Sequence, residues 1–140
     1  MATMDLEDAL KYKLATTAGV IALIFDARRI YPATVPDVFT PPAITFLEVS
    51  AADDTTHDSL AGAELVNGRY QFDAWGTSQA SARALGKAIY AAFHGFTGTV
   101  TDGVDSLTFG PILRVAKRAQ YDPGTRLYTI SQDFMIWYME

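Results

Sequence analysis

Few residues in this chain are of types and spacings that could do chemistry. Its two histidines are His57 and His94. His57 lies in the run Asp53-Asp54-Thr55-Thr56-His57-Asp58, which offers oxygen and nitrogen donors of the kind that hold metals. The spacing is not that of an EF-hand loop, and no second histidine group completes a zinc site. A solvated acidic loop is the plainer reading. His94 falls at the end of a predicted helix, where a cation complements the helix dipole, so capping outweighs catalysis there. Gly95-Phe96-Thr97-Gly98 has the spacing of a nucleic-acid-clamping loop, yet a strand-like run follows it and basic flanks are missing. Asp102 and Asp105 sit beside Gly103 and read as turn formers. No serine occupies a Gly-x-Ser-x-Gly elbow, and no phosphate-binding Gly-x-x-x-x-Gly-Lys occurs. Neither a catalytic centre nor a cofactor is expected.

One basic group stands out: Arg114, Lys117 and Arg118, with Arg126 across a predicted hairpin. By a period of two, Arg114 and Arg118 share one face of a strand. A solvated face is the plain reading; a contact with an acidic partner or with DNA backbone is the sharper one. Further along, Phe134, Met135, Ile136, Trp137, Tyr138 and Met139 make a strand apolar on both faces. Such a strand is buried on both sides, by its own core or by a neighbouring subunit.

Composition narrows the classes. With 140 residues, 49% of them hydrophobic, the chain is long enough for one domain that buries roughly 68% of its unfolded surface. The absence of cysteine excludes a thiol nucleophile, a disulfide framework and Cys-ligated zinc or iron–sulfur sites. A net charge of -5 weighs against an autonomous nucleic-acid-binding domain, because phosphate contacts need clustered Lys and Arg. The longest apolar run, Ala18–Phe25, is too short to cross a bilayer, which takes about 20 residues. Asp5, Glu7 and Asp8, and Asp26 at the end of that run, argue against a signal peptide. The expectation is a soluble protein, intracellular at synthesis, without a membrane partner.

The elements follow from periodicity. Leu6, Ala9, Leu10 and Leu14 predict an amphipathic helix over 5–16. Gly19–Phe25 is a second short helix or a buried strand. Four of the six prolines fall in 32–42, so this segment is a loop or arm, and Val35, Val38 and Phe39 make it one that packs on something. Ala43–Ser50 reads as a strand and 51–60 as a polar loop. Asn67-Gly68 reads as a type I′ hairpin turn, and Tyr70, Phe72 and Ala74 as the inward side of a half-buried strand. Ser78 caps a helix over 79–93 with a stripe of Ala80, Ala84, Leu85, Ala88, Ile89, Ala92 and Phe93. Leu107–Tyr121 and Thr125–Met139 flank Asp122-Pro123-Gly124 as a long hairpin, with positive φ expected at Gly124. The fold class is α+β: an antiparallel-rich sheet with a long C-terminal hairpin, covered on one face by two main helices, in a single domain.

Taken in order, these segments resemble the tail-terminator, or tail-to-head joining, proteins of long-tailed bacteriophages. The likeness rests on the helix Asp5–Thr16, the run Val20–Phe25, Arg29-Ile30-Tyr31-Pro32 with its proline-rich sequel, and the strand Pro42–Ser50. It continues through Arg69–Phe93, which resembles the family's Arg-x-x-x-Asp-x-Trp strand-to-helix segment. The C-terminal hairpin matches only in general type. The resemblance implies a non-enzymatic virion protein that forms a homo-oligomeric ring, usually a hexamer, at the head-proximal end of the tail tube. Its implied partners are the tail tube protein, a head connector or head-completion protein, and genomic DNA passing through the lumen without sequence-specific binding. It would assemble in the host cytoplasm. A ring needs two different complementary patches per subunit. Val35, Val38, Phe39, Arg114, Arg118, Phe134, Ile136, Trp137 and Tyr138 are the candidates for subunit or partner contacts. Asp53, Asp54 and Asp58 are candidates for an acidic lumen lining that keeps DNA from sticking. Another neck or head-completion protein, or a small-ligand-binding α+β domain around His57, are the alternatives.

Overall fold

The computed structural model describes residues 2–32, 39–54 and 65–139. Its helices are α1 (Leu6–Ala15), α2 (Ala18–Ile24) and α3 (Gln79–Phe93), with a short 3-10 turn at Ala27–Arg29. Its strands are β1 (Ala2–Thr3), β2 (Ile30–Pro32), β3 (Ala43–Asp54), β4 (Leu65–Gly76), β5 (Gly98–Thr101), β6 (Asp105–Asp122) and β7 (Leu127–Met139). They form one mixed sheet in the order β1-β6-β7-β4-β3-β2, with β5 beside β6. The short pairs β1–β6 and β2–β3 are parallel, and the long ladders β6–β7, β7–β4 and β4–β3 are antiparallel.

All three α-helices lie on one face. Leu10, Leu14, Val20 and Ile24 from α1 and α2 join Leu85, Ile89 and Phe93 of α3 over Ile44, Phe46, Phe72, Ile112, Phe134 and Ile136 of the sheet. Phe72 is the hub. Its ring lies 5.4 Å from that of Phe46, 4.9 Å from Phe93 and 5.6 Å from Phe134. The ambiguous run 19–25 is helical and brings Val20 and Ile24 inward.

Helix α3 has the predicted bounds, and Ser78 Oγ accepts from Ser81 N at 3.1 Å. Its buried stripe is rotated from the expected one. Ala82, Leu85, Gly86, Ile89, Ala92 and Phe93 are buried, whereas Ala80 and Ala84 are exposed. Gly86 seats the helix: a Cβ there would meet Ile130 Cγ2 at 3.0 Å. Gly76 matters more. A Cβ at Gly76 would stand 2.7 Å from the backbone nitrogen of Ala82, which a side-chain rotation cannot relieve. Gly76→Ala is therefore expected to destabilise by about 1–3 kcal/mol, read as a lower denaturation midpoint at unchanged m-value.

Three expectations fail locally. Asn67-Gly68 is no turn: β4 runs straight through it, paired to Ala52 and Ala51 on one side and to Trp137 and Ile136 on the other. Ladders on both sides outweigh the dipeptide's local preference. The polar loop expected from residue 51 begins later, because β3 continues to Asp54 against β4. Finally, positive φ in the β6–β7 turn falls on Arg126 (φ 60°) instead of Gly124. Asp122 sets that turn, its carboxylate accepting from Gly124 N and Thr125 Oγ1 while its carbonyl accepts from Arg126 N.

Candidate assembly surfaces

The face of the sheet opposite the three helices carries a polar centre. Asp133 on β7 is 4% exposed, and its carboxylate is held from two neighbouring strands. Arg69 on β4 donates to Oδ2 from Nη2 at 2.8 Å and from Nε at 3.1 Å. Arg118 on β6 donates to Oδ1 at 3.2 Å and to Gln71 Oε1 at 2.9 Å. Gln71 in turn donates to Asp73 at 2.9 Å. A buried carboxylate needs such partners, since an unpaired one would be prohibitively costly. The seam stitches β6, β7 and β4 together on the side opposite the three helices.

Arg114 is elsewhere. The register shifts between Arg114 and Ala116, and this bulge puts Arg114 opposite Phe134 on the helix face. Its guanidinium lies 4.1 Å from the Tyr90 ring and donates to Gln132 Oε1 at 3.1 Å. Buried Gln132 donates to Gly86 O at 2.8 Å, so the whole set anchors α3 to the sheet. The two arginines expected on one face thus lie on opposite faces. A single inserted residue inverts a period-two count.

His94 is the C-cap residue of α3, its backbone N donating to Tyr90 O at 2.8 Å. Its ring stacks on Tyr90 at 4.6 Å, and Nδ1 accepts from Arg114 N at 3.1 Å. Gly95 follows with φ +80° and donates to Ile112 O at 2.7 Å, so the Gly-x-x-Gly segment docks α3 onto β6. Asp102 behaves as the turn former expected. Its Oδ1 accepts from Val104 N and Asp105 N, both at 2.8 Å, and these bonds hold its carboxyl below the usual range.

The C-terminal strand divides by face. Phe134 and Ile136, expected as contact residues, are fully buried in the chain's own core under α3. Their burial by this chain removes them as surface candidates. Trp137 is half-buried on the other face, where it lines an apolar hollow of about 240 Å³ with Gly110, Pro111 and Leu113. Tyr138 is half-buried against the core. Phe39 is half-buried, its ring 5.9 Å from that of Trp75. Trp75 itself donates to Thr45 Oγ1 at 3.0 Å. Val35, Val38, His57 and Asp58 lie outside the described residues, while Asp53 and Asp54 fall at the end of β3.

Two features had no advance signal. Phe25 closes α2 in the left-handed conformation (φ 69°) with 74% of its surface exposed. Tyr70 is buried beside Glu48, and burial, reinforced by that carboxylate, pushes its hydroxyl well above the usual range. The unfolded chain releases this proton near pH 10, whereas the folded chain retains it. Stability therefore falls as pH rises through about 10. In Tyr70→Phe, urea melts across pH 8–11 are expected to show a shallower alkaline decline.

An open cleft of about 410 Å³ between α1 and the β5–β6 turn is lined by Asp5, Asp8, Lys11, Asp102 and Asp105 among others. Among the described residues no group of His, Cys, Asp or Glu is arranged to hold a metal, and no helix is long and apolar enough to cross a membrane.

Residues 8–139 match the family model described as Tail completion protein gp17. Comparison with curated proteins finds no match. Among solved structures, the fold is similar to a chain from the virion of native gene transfer agent particle, with a TM-score of 0.74 at 16% identity. The alignment covers 96% of this chain and 95% of that one. Because the family match spans nearly the whole sheet and all three helices, the chain belongs to the tail completion protein gp17 family and is a structural protein of a phage virion tail.

Proposed function

We propose that identical copies of this chain, six in our reading, close into a ring at the head-proximal end of the tail tube. The ring ends tube polymerisation, presents a surface to the head connector or a head-completion protein, and lets genomic DNA pass through its lumen. Assembly takes place in the host cytoplasm, and no catalytic step is involved. The observation that carries this reading is the family match over residues 8–139. The gathering of the described helices on one face of the sheet is consistent with it, as are half-exposed Trp137 and exposed Leu113 on the opposite face. Contiguous apolar surface of that kind marks contact sites.

Within this reading, the arm with Val35, Val38 and Phe39 reaches a neighbour, and Trp137 and Tyr138 contribute from β7. Arg114 and Arg118 act indirectly, by fixing the strands that carry those contacts. Asp58 lines the lumen as a DNA-repelling charge, with Asp53 and Asp54, at the end of β3, at its rim beside the subunit contact. Electron microscopy of purified particles, with native mass spectrometry of the isolated protein, tests the proposal. A ring density at the tube's upper end supports it. Location at the tail tip, or one copy per particle, would sink it.

A further inference from the structure

Two long stretches of strand edge are uncovered among the described residues. On one side β2 pairs only Ile44–Phe46 of β3, so residues 47–54 have no strand beyond them. Leu47, Glu48, Val49 and Ser50 are all exposed. On the other side β5 ends its pairing at Phe109, and the turn after α3 bonds β6 only as far as Arg114. Residues 115–122 therefore offer an open edge of the same length. Unpaired strand edges are templates for another strand, and chains that keep them open guard them with charge. Here the guards have opposite sign. The stretch 47–54 of β3 carries Glu48, Asp53 and Asp54, net negative; the stretch 115–122 of β6 carries Lys117, Arg118 (itself bound to Asp133) and, at its end, Asp122, net positive.

We infer that the occupant of each edge is the opposite edge of a second copy of this chain. The residues 47–54 of one subunit pair antiparallel with 115–122 of the next, and the sheet runs on from subunit to subunit. Direction permits this: three antiparallel ladders separate β3 from β6, so the two strands run oppositely within the chain. A neighbour in the same orientation then offers β6 antiparallel to β3. Charge selects it. Pairing two β6 edges opposes Lys117 and Arg118 to themselves, and pairing two β3 edges opposes carboxylates. Only the unlike pairing is attractive. Unlike edges make a head-to-tail contact, the kind that builds a ring when the rotation between subunits closes, and not a two-fold dimer. The inference rests on the ring reading above and names its subunit contact.

Hydrogen exchange and charge swapping test it. In wild-type protein assembled on purified particles or by concentration, amides of 47–54 and 115–122 are expected to exchange at least about tenfold more slowly than in the monomer. Asp53→Lys with Asp54→Lys makes both edges basic, and Lys117→Glu with Gln120→Glu makes both acidic. Each variant alone is expected to stay monomeric at its wild-type melting temperature, and mixing the two restores assembly. Protection confined to other surfaces, or a mixture as monomeric as its parts, overturns the edge pairing and leaves the ring standing. Wild-type chain that is monomeric in particles as well as in solution overturns the ring reading, and this contact with it.

Discussion

Phe72→Ala is expected to cost about 3–5 kcal/mol, the usual range for deleting a buried ring, and to leave little folded protein at 37 °C. Phe72 is fully buried and stands on the central strand β4, where its ring meets one aromatic from β3, one from β7 and one from α3. Removing it opens a cavity bounded by rings on rigid elements, which cannot collapse far to fill the space. A whole domain is only about 5–15 kcal/mol more stable than its unfolded chain, so this loss takes a large share. Chemical denaturation reads it directly, with Phe72→Leu as the milder control. A Phe72→Ala midpoint within about 1 kcal/mol of wild type would show that the aromatic cluster is not the keystone of the core.

Asp133→Ala should follow in size, at about 2–3 kcal/mol. Breaking a buried pair outright costs about 3–5 kcal/mol, but the side chains of Arg69 and Arg118 are 39% and 40% exposed and regain water when released. The measurement has two parts. Urea denaturation gives the stability loss, and hydrogen exchange shows where it falls. Because Asp133 ties β6 to β7 and β4, exchange in Asp133→Ala should quicken in 115–122 more than in α3. Uniform acceleration would mean that the seam stabilises the whole fold without specially holding that hairpin. Asp133→Asn separates charge from shape: its single amide oxygen accepts from only one of the two arginines while its NH2 faces the other, so it should recover only part of the loss.

Much of the architecture was legible in residue order. The bounds of α3 follow from Ser78 and the periodic apolar residues after it, and the C-terminal hairpin from two strand-like runs around Asp122-Pro123-Gly124. The order of helices and strands also carried the family resemblance, which the match over residues 8–139 bears out. What escaped was decided by neighbours. Asn67-Gly68 has a strong local preference for a turn, but ladders to β3 and β7 hold it extended. The Arg114–Arg118 spacing predicts a shared face, but one bulge sends Arg114 to Tyr90 and Arg118 to Asp133. Phe134 and Trp137 look alike in a two-sided apolar strand; the helix layer buries the first and leaves the second half-open.

By itself, then, the sequence determined helices α1 and α3 and the C-terminal hairpin, that no thiol or cysteine-bound metal chemistry is present, and the family to which the pattern points. These depend on local spacing, capping and residue type, which act over a few positions. Only the tertiary structure decided which face each strand residue serves, that Asp133 gathers two arginines, and that, among the described residues, β3 and β6 run on past their short edge partners. Pairing partners and bulges lie dozens of residues apart in the chain, and one added residue in a strand exchanges inside for outside.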